Sequence, residues 1–188
     1  KDNARKSNKF SQEEIKGNWV IFNKSDNHSS FVGYNKNQID TQIIKYKKLN
    51  KNYELVLKQT PFYAESGGQI GDTGFFSQGD FMYEVSDTIK YQNEFIHIGE
   101  IKSGNIENIK LLQTLVTGPR RQQIRLNHTA THLLHQALKD VLGKHVQQAG
   151  SLVTADKLRF DLTHYERVSK EDLQKIETLV NLVIRENN

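Results

Sequence analysis

Three histidines lie within eight residues of the chain, in the stretch LNHTATHLLH (Leu126–His135), and they are its clearest candidates for chemistry. At about 100° per residue, His128, His132 and His135 fall within roughly 60° of one another on a helix, so they share one face. Imidazoles at positions i and i+4 can chelate a single metal ion. The spacing therefore leaves two interpretations open, half of a metal site or a polar helix face.

The neighbours of these histidines narrow the chemistry. The first histidine is followed by Thr129 rather than by the Glu that a HExxH metalloprotease uses as general base, so peptide hydrolysis is not indicated. Two histidines do not complete a zinc site, and the chain has no cysteine. Further candidate ligands within the chain are His97, His135, His145 and His164. The favoured alternative is that the missing ligands lie beyond Asn188.

A second polar stretch, TPFYAESGGQIGDTG (Thr60–Gly74), is rich in glycine. It lacks the G-x-G-x-x-G order of dinucleotide sites and the G-K-[ST] of phosphate-binding loops, so nucleotide binding is not indicated. A set of turns with a bulge is the structural interpretation.

Arginines are densest just before the histidines, at Arg120, Arg121 and Arg125. Charge runs of this kind are usually solvated faces, and contact with RNA phosphate is the second interpretation. The net charge of +4 supports a polyanionic partner only weakly.

The elements that position these residues fall into two types. From Trp19 to about Thr117, short apolar or alternating runs are separated by turn residues, which predicts a compact antiparallel sheet or barrel. These runs are NWVIF, SSFVGY, TQIIKY, YELVLKQ, GFFSQ, FMYEV, EFIHIGEI and LLQTLV. The lysines expected at an exposed strand edge and turn are Lys45, Lys47, Lys48 and Lys51.

Behind Gly118 and Pro119 the pattern becomes helical. Asn127 is predicted to cap a helix that runs to about Leu142 and ends at Gly143. The apolar side of that helix, centred opposite the histidines, comprises Ala130, Leu133, Leu134, Ala137, Leu138 and Val141. Two strands, HVQQAGSLV and KLRFDLTH, follow, and Ser169 is predicted to cap a second helix. The apolar face of this second helix comprises Leu173, Ile176, Val180, Val183 and Ile184.

The predicted fold class is thus α+β, with an N-terminal antiparallel β-barrel-like subdomain followed by the first part of an α+β subdomain. Both ends of the 188-residue chain resemble parts of helices, and no Met begins it, so an excised piece is expected. The predicted boundaries are 1–17 for the tail of an upstream helical domain, 18–118 for the β subdomain and 119–188 for the incomplete α+β subdomain. No apolar run approaches the roughly 20 residues that cross a bilayer, and the lack of cysteine fits a reducing compartment, so the cytoplasm is expected.

Two stretches, Thr60–Gly74 and RLNHTATHLL (Arg125–Leu134), together resemble the editing domain of alanyl-tRNA synthetases. SLV from Ser151 and LRFD from Leu158 fit the same family in order, so the resemblance covers almost the whole chain. The resemblance implies membership of an enzyme that attaches alanine to tRNA(Ala) with ATP, and a domain that hydrolyses Ser-tRNA(Ala) and Gly-tRNA(Ala). ATP would be used elsewhere in that enzyme and not by this segment.

The resemblance also implies roles for individual residues. His128 and His132 would bind zinc with a later Cys-x-x-x-His pair, which this chain lacks, so the piece alone is expected to be inactive. Thr131 and Gln148 would line the editing pocket and recognise the hydroxyl of the substrate. The residues expected to lie near RNA are Gly67, Gly68, Arg120, Arg121 and Arg125. The implied partners are tRNA(Ala), especially its aminoacylated 3′ end, and other domains of the same synthetase, with no membrane. A free-standing trans-editing hydrolase and a non-catalytic tRNA-binding module stay open as alternatives.

Overall fold

A computed structural model of the protein describes residues 18–22, 28–109 and 111–186. The segment 1–17, which the sequence assigns to an upstream helical tail, lies outside the described residues. The chain divides into two compact units. One unit ends at Gly118 but omits Gly67–Ile70, and the other combines Gly67–Ile70 with the residues from Pro119 onward. Four residues of the glycine-rich stretch thus group with the histidine-bearing unit, which the sequence pattern did not indicate.

The first unit is built on an eight-stranded antiparallel sheet that curls into a half-barrel, as the predicted β-barrel-like subdomain requires. Its strands lie side by side in the order β1-β4-β5-β9-β8-β7-β10-β3, and β2 and β6 form a separate parallel pair. The strands are β1 (Val20–Ile21), β2 (Ser30–Phe31), β3 (Gln38–Thr41), β4 (Ile43–Leu49), β5 (Asn52–Leu57), β6 (Gln59–Thr60), β7 (Gly74–Gln78), β8 (Phe81–Tyr91), β9 (Glu94–Ser103) and β10 (Leu112–Val116). A short 3-10 helix spans Ile106–Asn108.

One face of this sheet carries the core. Along β8, Phe81, Tyr83 and Val85 are buried and the residues between them are more exposed, which is the alternation expected of a strand with one covered face. Phe76 stacks on Tyr83 with ring centroids 5.4 Å apart, and Phe62 meets Phe76 edge to face at 5.2 Å. Such aromatic pairs add about 0.5–1.5 kcal/mol to the free energy of area burial. The sheet is therefore held by packing on this face.

The expectation that all four lysines of this region lie exposed is wrong for Lys45, whose side chain is 18% exposed and pairs with Glu94, and more clearly wrong for Lys47. Lys47 pairs across β4 and β5 with Glu54, with Nζ and Oε2 2.9 Å apart, and the two side chains are only 3% and 1% exposed. The sequence places Lys47 in a Lys-rich run and gives no sign of a partner seven residues later on the next strand. Removing either charge would leave the other buried without this ion pair, at a cost of about 3–5 kcal/mol.

His97 is also buried in this unit and is fully enclosed. Its Nδ1 lies 3.0 Å from the Leu55 carbonyl oxygen, which can only accept, so Nδ1 carries the proton. Nε2 then accepts from the Thr60 hydroxyl at 2.7 Å. With both nitrogens engaged, His97 is not available as a metal ligand. Burial lowers the pKa of His97 to about 4, against a weaker opposing effect of the Leu55 carbonyl.

We predict that the free energy of unfolding falls as the pH drops from about 6.5 to about 4. The unfolded chain takes up a proton on His97 in this window while the folded chain does not, which amounts to about 3 kcal/mol. Urea unfolding at a series of pH values measures this loss. His97→Asn, which cannot titrate, should show a shallower slope over the same window, and parallel profiles for the two proteins would contradict the prediction.

The second unit contains two helices and a two-stranded antiparallel hairpin. The elements are α1 (Gly118–Leu142), β11 (Gln147–Val153), β12 (Leu158–Thr163) and α2 (Lys170–Glu186). Ala137, Leu138, Val146 and Ile176 form its buried core. Ser169 caps α2 as predicted, because its Oγ accepts from the Asp172 amide at 3.0 Å.

The expected start of α1 at Asn127 is wrong, since the helix begins nine residues earlier at Gly118. Pro119 lies in the first turn, where the missing N–H of proline breaks no helical hydrogen bond. The Asn127 side chain instead donates to the carbonyls of Thr154 and Ala155, at 2.9 and 3.1 Å, and so ties α1 to the β11–β12 turn. The predicted end is confirmed, because Gly143 adopts φ +110 and its amide donates to the Lys139 carbonyl at 3.0 Å.

Neither helix among the described residues is both long and apolar enough to cross a membrane.

Candidate functional site

The histidines of α1 lie side by side, as the spacing predicts. The expectation that they face directly away from the core is wrong, because Thr131 on the same face is buried and the His135 ring packs on Phe160. His132 is exposed and His128 is half-buried, and their ring centroids lie 4.9 Å apart. Ala137 and Leu138 are buried in the core of the second unit. The pKa of His128 is lowered, mainly by partial burial and then by the charge of His132, which favours the neutral ring. Imidazoles one helical turn apart on one face can approach one ion together.

His128 has a partner from a distant part of the chain. Its Nδ1 lies 2.7 Å from Oε1 of Gln69, which stands in the glycine-rich stretch 59 positions earlier. Backbone hydrogen bonds hold that stretch against β11, from the Val153 amide to the Gly68 carbonyl at 2.8 Å and from the Ile70 amide to the Val153 carbonyl at 3.2 Å. Gln69 is thus positioned by the strand as well as by its own loop.

These elements enclose a small cavity of about 50 Å³ within the second unit. It is lined by Gly67, His128, Thr131, His132, His135, Gln148, Ser151, Val153 and Phe160. The structure therefore gathers six of the residues singled out by sequence, from the glycine-rich loop, α1 and β11.

A chain of hydrogen bonds runs along one wall of the cavity. Nε2 of Gln148 donates to Oγ of Ser151 at 3.0 Å, and that hydroxyl donates to the Gly67 carbonyl at 3.1 Å. The register of β11 shifts between Gln148 and Gly150, which is a bulge of the kind that redirects side chains near functional sites. In the sequence Ser151 stands out only as part of the SLV motif, and nothing there indicates its contact with Gly67, which lies 84 positions away.

Thr131 lies on the inner side of α1 and is 9% exposed. Its hydroxyl donates to the Asn127 carbonyl one turn earlier, at 2.8 Å. Because the proton is used in this way, Oγ1 can only accept a further hydrogen bond. Toward the cavity Thr131 therefore presents an acceptor.

His135 also lines the cavity, and its ring packs against Phe160 with centroids 5.0 Å apart. Its Nε2 is buried and has no hydrogen-bond partner among the described residues. The pKa of His135 is lowered, first by burial and then by the charges of Lys139 and His132. An unsatisfied buried nitrogen on a cavity wall is a place for a water or a ligand group.

The other candidate ligands are not brought to this site. His145 and His164 hydrogen-bond each other at 2.8 Å with nearly parallel rings. Within residues 18–22, 28–109 and 111–186, no three His, Cys, Asp or Glu side chains are grouped so that they could hold one ion.

The three arginines all lie on α1 but differ in exposure. Arg125 is exposed, Arg120 is half-buried and Arg121 is only 7% exposed. Of the three, Arg125 is therefore the most open to a phosphate.

One family model and two curated relatives that match this chain all point to tRNA synthetases. The family model of class II (A) tRNA synthetases matches residues 1–116. An alanine--tRNA ligase of Legionella pneumophila (strain Corby) is 44% identical over 172 residues, which cover 87% of this chain and 20% of the relative. An alanine--tRNA ligase of Pseudomonas savastanoi pv. phaseolicola (strain 1448A / Race 6) is 44% identical over 173 residues, with the same coverage. The chain spans about a fifth of the length of these curated relatives.

We predict that Gly68→Ala destabilises the second unit more than Gly67→Ala does. Both glycines have positive φ, so both substitutions add backbone strain of about 1–2 kcal/mol. Only at Gly68 would the new Cβ meet the strand, 2.3 Å from the Ser151 Oγ, whereas nothing lies within 4 Å at Gly67. The difference in the free energy of unfolding should be about 1–3 kcal/mol. Chemical denaturation measures it, and equal losses in the two variants would contradict the close approach.

We predict that His135→Leu leaves the free energy of unfolding unchanged or raises it by about 1 kcal/mol, because it removes a buried nitrogen that has no partner. His132→Leu, at an exposed position, is the matched control and should change the value by less than about 0.5 kcal/mol. Thermal unfolding of both variants tests this. A clear loss of stability specific to His135→Leu would mean that an ordered water satisfies the nitrogen.

Proposed function

Since the chain belongs to the family of class II (A) tRNA synthetases, we propose that it is part of an alanyl-tRNA synthetase and carries the amino-terminal portion of an editing site. The proposed reaction is hydrolysis of the ester in Ser-tRNA(Ala), and also in Gly-tRNA(Ala). The observation that carries the proposal is the convergence of the His128–His132 pair, Thr131, Gln148 and the glycine-rich loop on one cavity. The synthetase as a whole would attach alanine to tRNA(Ala) with ATP, in domains outside this chain.

A second site is needed because a pocket that accepts alanine rejects serine only weakly, since serine adds no more than a hydroxyl. An editing site can reverse the selection if it binds that hydroxyl. Thr131 suits this role, because its own proton is committed to Asn127 and its oxygen can accept from the serine hydroxyl. Alanine has no donor for this acceptor, so it would leave a buried group unpaired, at about 1–3 kcal/mol.

Gln148 on β11 supports the same selection. Its Nε2 is fixed by Ser151, which in turn is fixed by the Gly67 carbonyl. The carbonyl end of the amide can therefore be held in one orientation toward a substrate donor. Pre-oriented polar groups lower the entropic cost of binding and favour one substrate over its analogues.

The residues present fit a zinc ion as half of a ligand set. Gln69 occupies Nδ1 of His128, which leaves Nε2 as the only ring nitrogen available for coordination, and His132 is exposed one turn away. Metal-bound histidines regularly have such a partner on the other nitrogen. We propose that His128 and His132 are ligands and that a Cys-x-x-x-His pair elsewhere in the protein supplies the rest. Zinc, when bound, would orient and polarise a water or the reactive end of the substrate.

RNA contacts are proposed at two places. The backbone at Gly67 and Gly68 has no side chain to keep an acylated 3′ end at a distance, and Gly67 lines the cavity. Arg125 is exposed on α1 and suits a phosphate, with Arg120 and Arg121 as further candidates. The proposed setting is the cytoplasm, with tRNA(Ala) and the other domains of the synthetase as partners.

We predict that the full-length product of the gene releases serine from Ser-tRNA(Ala), and that His128→Ala combined with His132→Ala lowers the rate at least 10²-fold, because substrate and water lose their positioning. Release of labelled serine measures the rate. Binding of the same tRNA by the variant is the control, and it should change little. If the wild-type protein binds Ser-tRNA(Ala) and leaves the ester intact, the chain belongs to a non-catalytic tRNA-binding module.

A further inference from the structure

We propose that Gln69 is the positioning residue for His128, because it holds the Nδ1-protonated tautomer and so turns the lone pair of Nε2 toward the cavity. This inference rests on the proposed function in one respect, which is the use made of that lone pair. The tautomer itself is a property of this chain alone.

The contact between the Gln69 and His128 side chains determines the tautomer of His128. Oε1 of Gln69 lies 2.7 Å from Nδ1 of His128, which is short for a neutral hydrogen bond. A carbonyl oxygen only accepts, so Nδ1 must carry the proton, and Nε2 of the neutral ring must then carry the lone pair. A histidine side chain free in water favours the other tautomer, with the proton on Nε2. Gln69 therefore selects a form that the ring would not adopt by preference.

The backbone of Gln69 is held in place by the neighbouring strand β11. The residue forms a parallel bridge with Val153, and backbone hydrogen bonds flank it on both sides, at Gly68 and Ile70. An added Cβ at Gly68 would lie 2.5 Å from the Ser151 carbonyl oxygen, so glycine allows the loop to approach β11 closely. A side chain mounted on such a backbone has few positions available, and it can orient a partner that would otherwise rotate.

His97 shows what the same arrangement does in the interior of the protein. His97 is held in the same tautomer by a carbonyl at Nδ1, but its Nε2 is used up by Thr60 in the interior of the first unit. At His128 the opposite nitrogen belongs to a ring that lines a cavity. The same hydrogen bond at Nδ1 thus leaves no free ring nitrogen at His97, whereas at His128 it leaves Nε2 available to a ligand.

The consequence for metal binding follows from the chemistry of imidazole. A ring with its proton on Nε2 must first move that proton to Nδ1 before Nε2 can coordinate an ion, and Gln69 stabilises the form in which the move is already made. Loss of an outer partner of a ligating histidine typically lowers metal affinity about 10–100-fold. Gln69 should therefore affect affinity without touching the ion.

The test is ¹⁵N NMR of the histidine rings in the 188-residue chain, at a pH where they are neutral. In the wild type we expect His128 as the Nδ1-protonated form. Gln69→Leu should shift it toward the Nε2-protonated form, and Gln69→Glu, which retains an acceptor, should not. Titration with Zn²⁺ alone should show affinity about 10–100-fold lower for Gln69→Leu than for the wild type and no loss for Gln69→Glu.

Two controls accompany this experiment. Gln122→Leu changes an exposed glutamine of α1 and should leave both the tautomer and the affinity unchanged. His97 is an internal reference, whose signal should report the Nδ1-protonated form in every variant that folds. An Nε2-protonated His128 in the wild type, or an unchanged tautomer or affinity in Gln69→Leu, overturns the proposal. If the tautomer and the affinity respond as expected but the full-length protein fails to release serine, the proposed function fails and the role of Gln69 stands.

Discussion

The site depends on the division of α1 into two faces. Ala137 and Leu138 must be buried to form the core of the second unit, and this fixes the rotation of the helix about its axis. Once the rotation is fixed, His128 is left half-buried and His132 exposed, and both line the cavity beside the buried Thr131. Burial of a leucine side chain contributes about 1.5–3 kcal/mol, so this packing is strong enough to set the orientation of the helix. The position of the two histidines is thus set by the hydrophobic packing of the helix that carries them.

Much of this arrangement could be predicted from local pattern. The i, i+4 spacing of His128 and His132 predicted a shared face, and Gly143 predicted the helix end, because both depend on helix geometry and backbone conformation within a few residues. The strand runs of the first unit were predicted from alternation for the same reason. The start of α1 was not, because a Gly-Pro pair is compatible with a turn as well as with a first helical turn, and only the surrounding structure decides between them.

The sequence could not predict contacts between distant residues. Lys47 lies in a run that resembles a solvated edge, and its burial depends on Glu54 arriving from the neighbouring strand. Gln69 is a single polar residue beside two glycines, and its significance comes from a histidine 59 positions later. The resemblance to alanyl-tRNA synthetases identified the correct family, since relatives from that family match most of the chain. The roles of Thr131, Gln148, the glycines and the arginines stay predictions.

The assignment of Gly67–Ile70 to the second unit has a consequence for how that unit is assembled. A peptide that begins at Pro119 contains both helices and the hairpin but not Gln69. In that peptide β11 would lack its backbone partner beside Val153, and His128 would lack the side-chain amide of Gln69 that contacts Nδ1. Joining the four residues to the rest closes a loop of more than forty residues, which delays the contact because long-range closure is entropically costly. The histidine-bearing unit is therefore discontinuous in sequence, and the wall of its cavity is complete only once both segments have been synthesised.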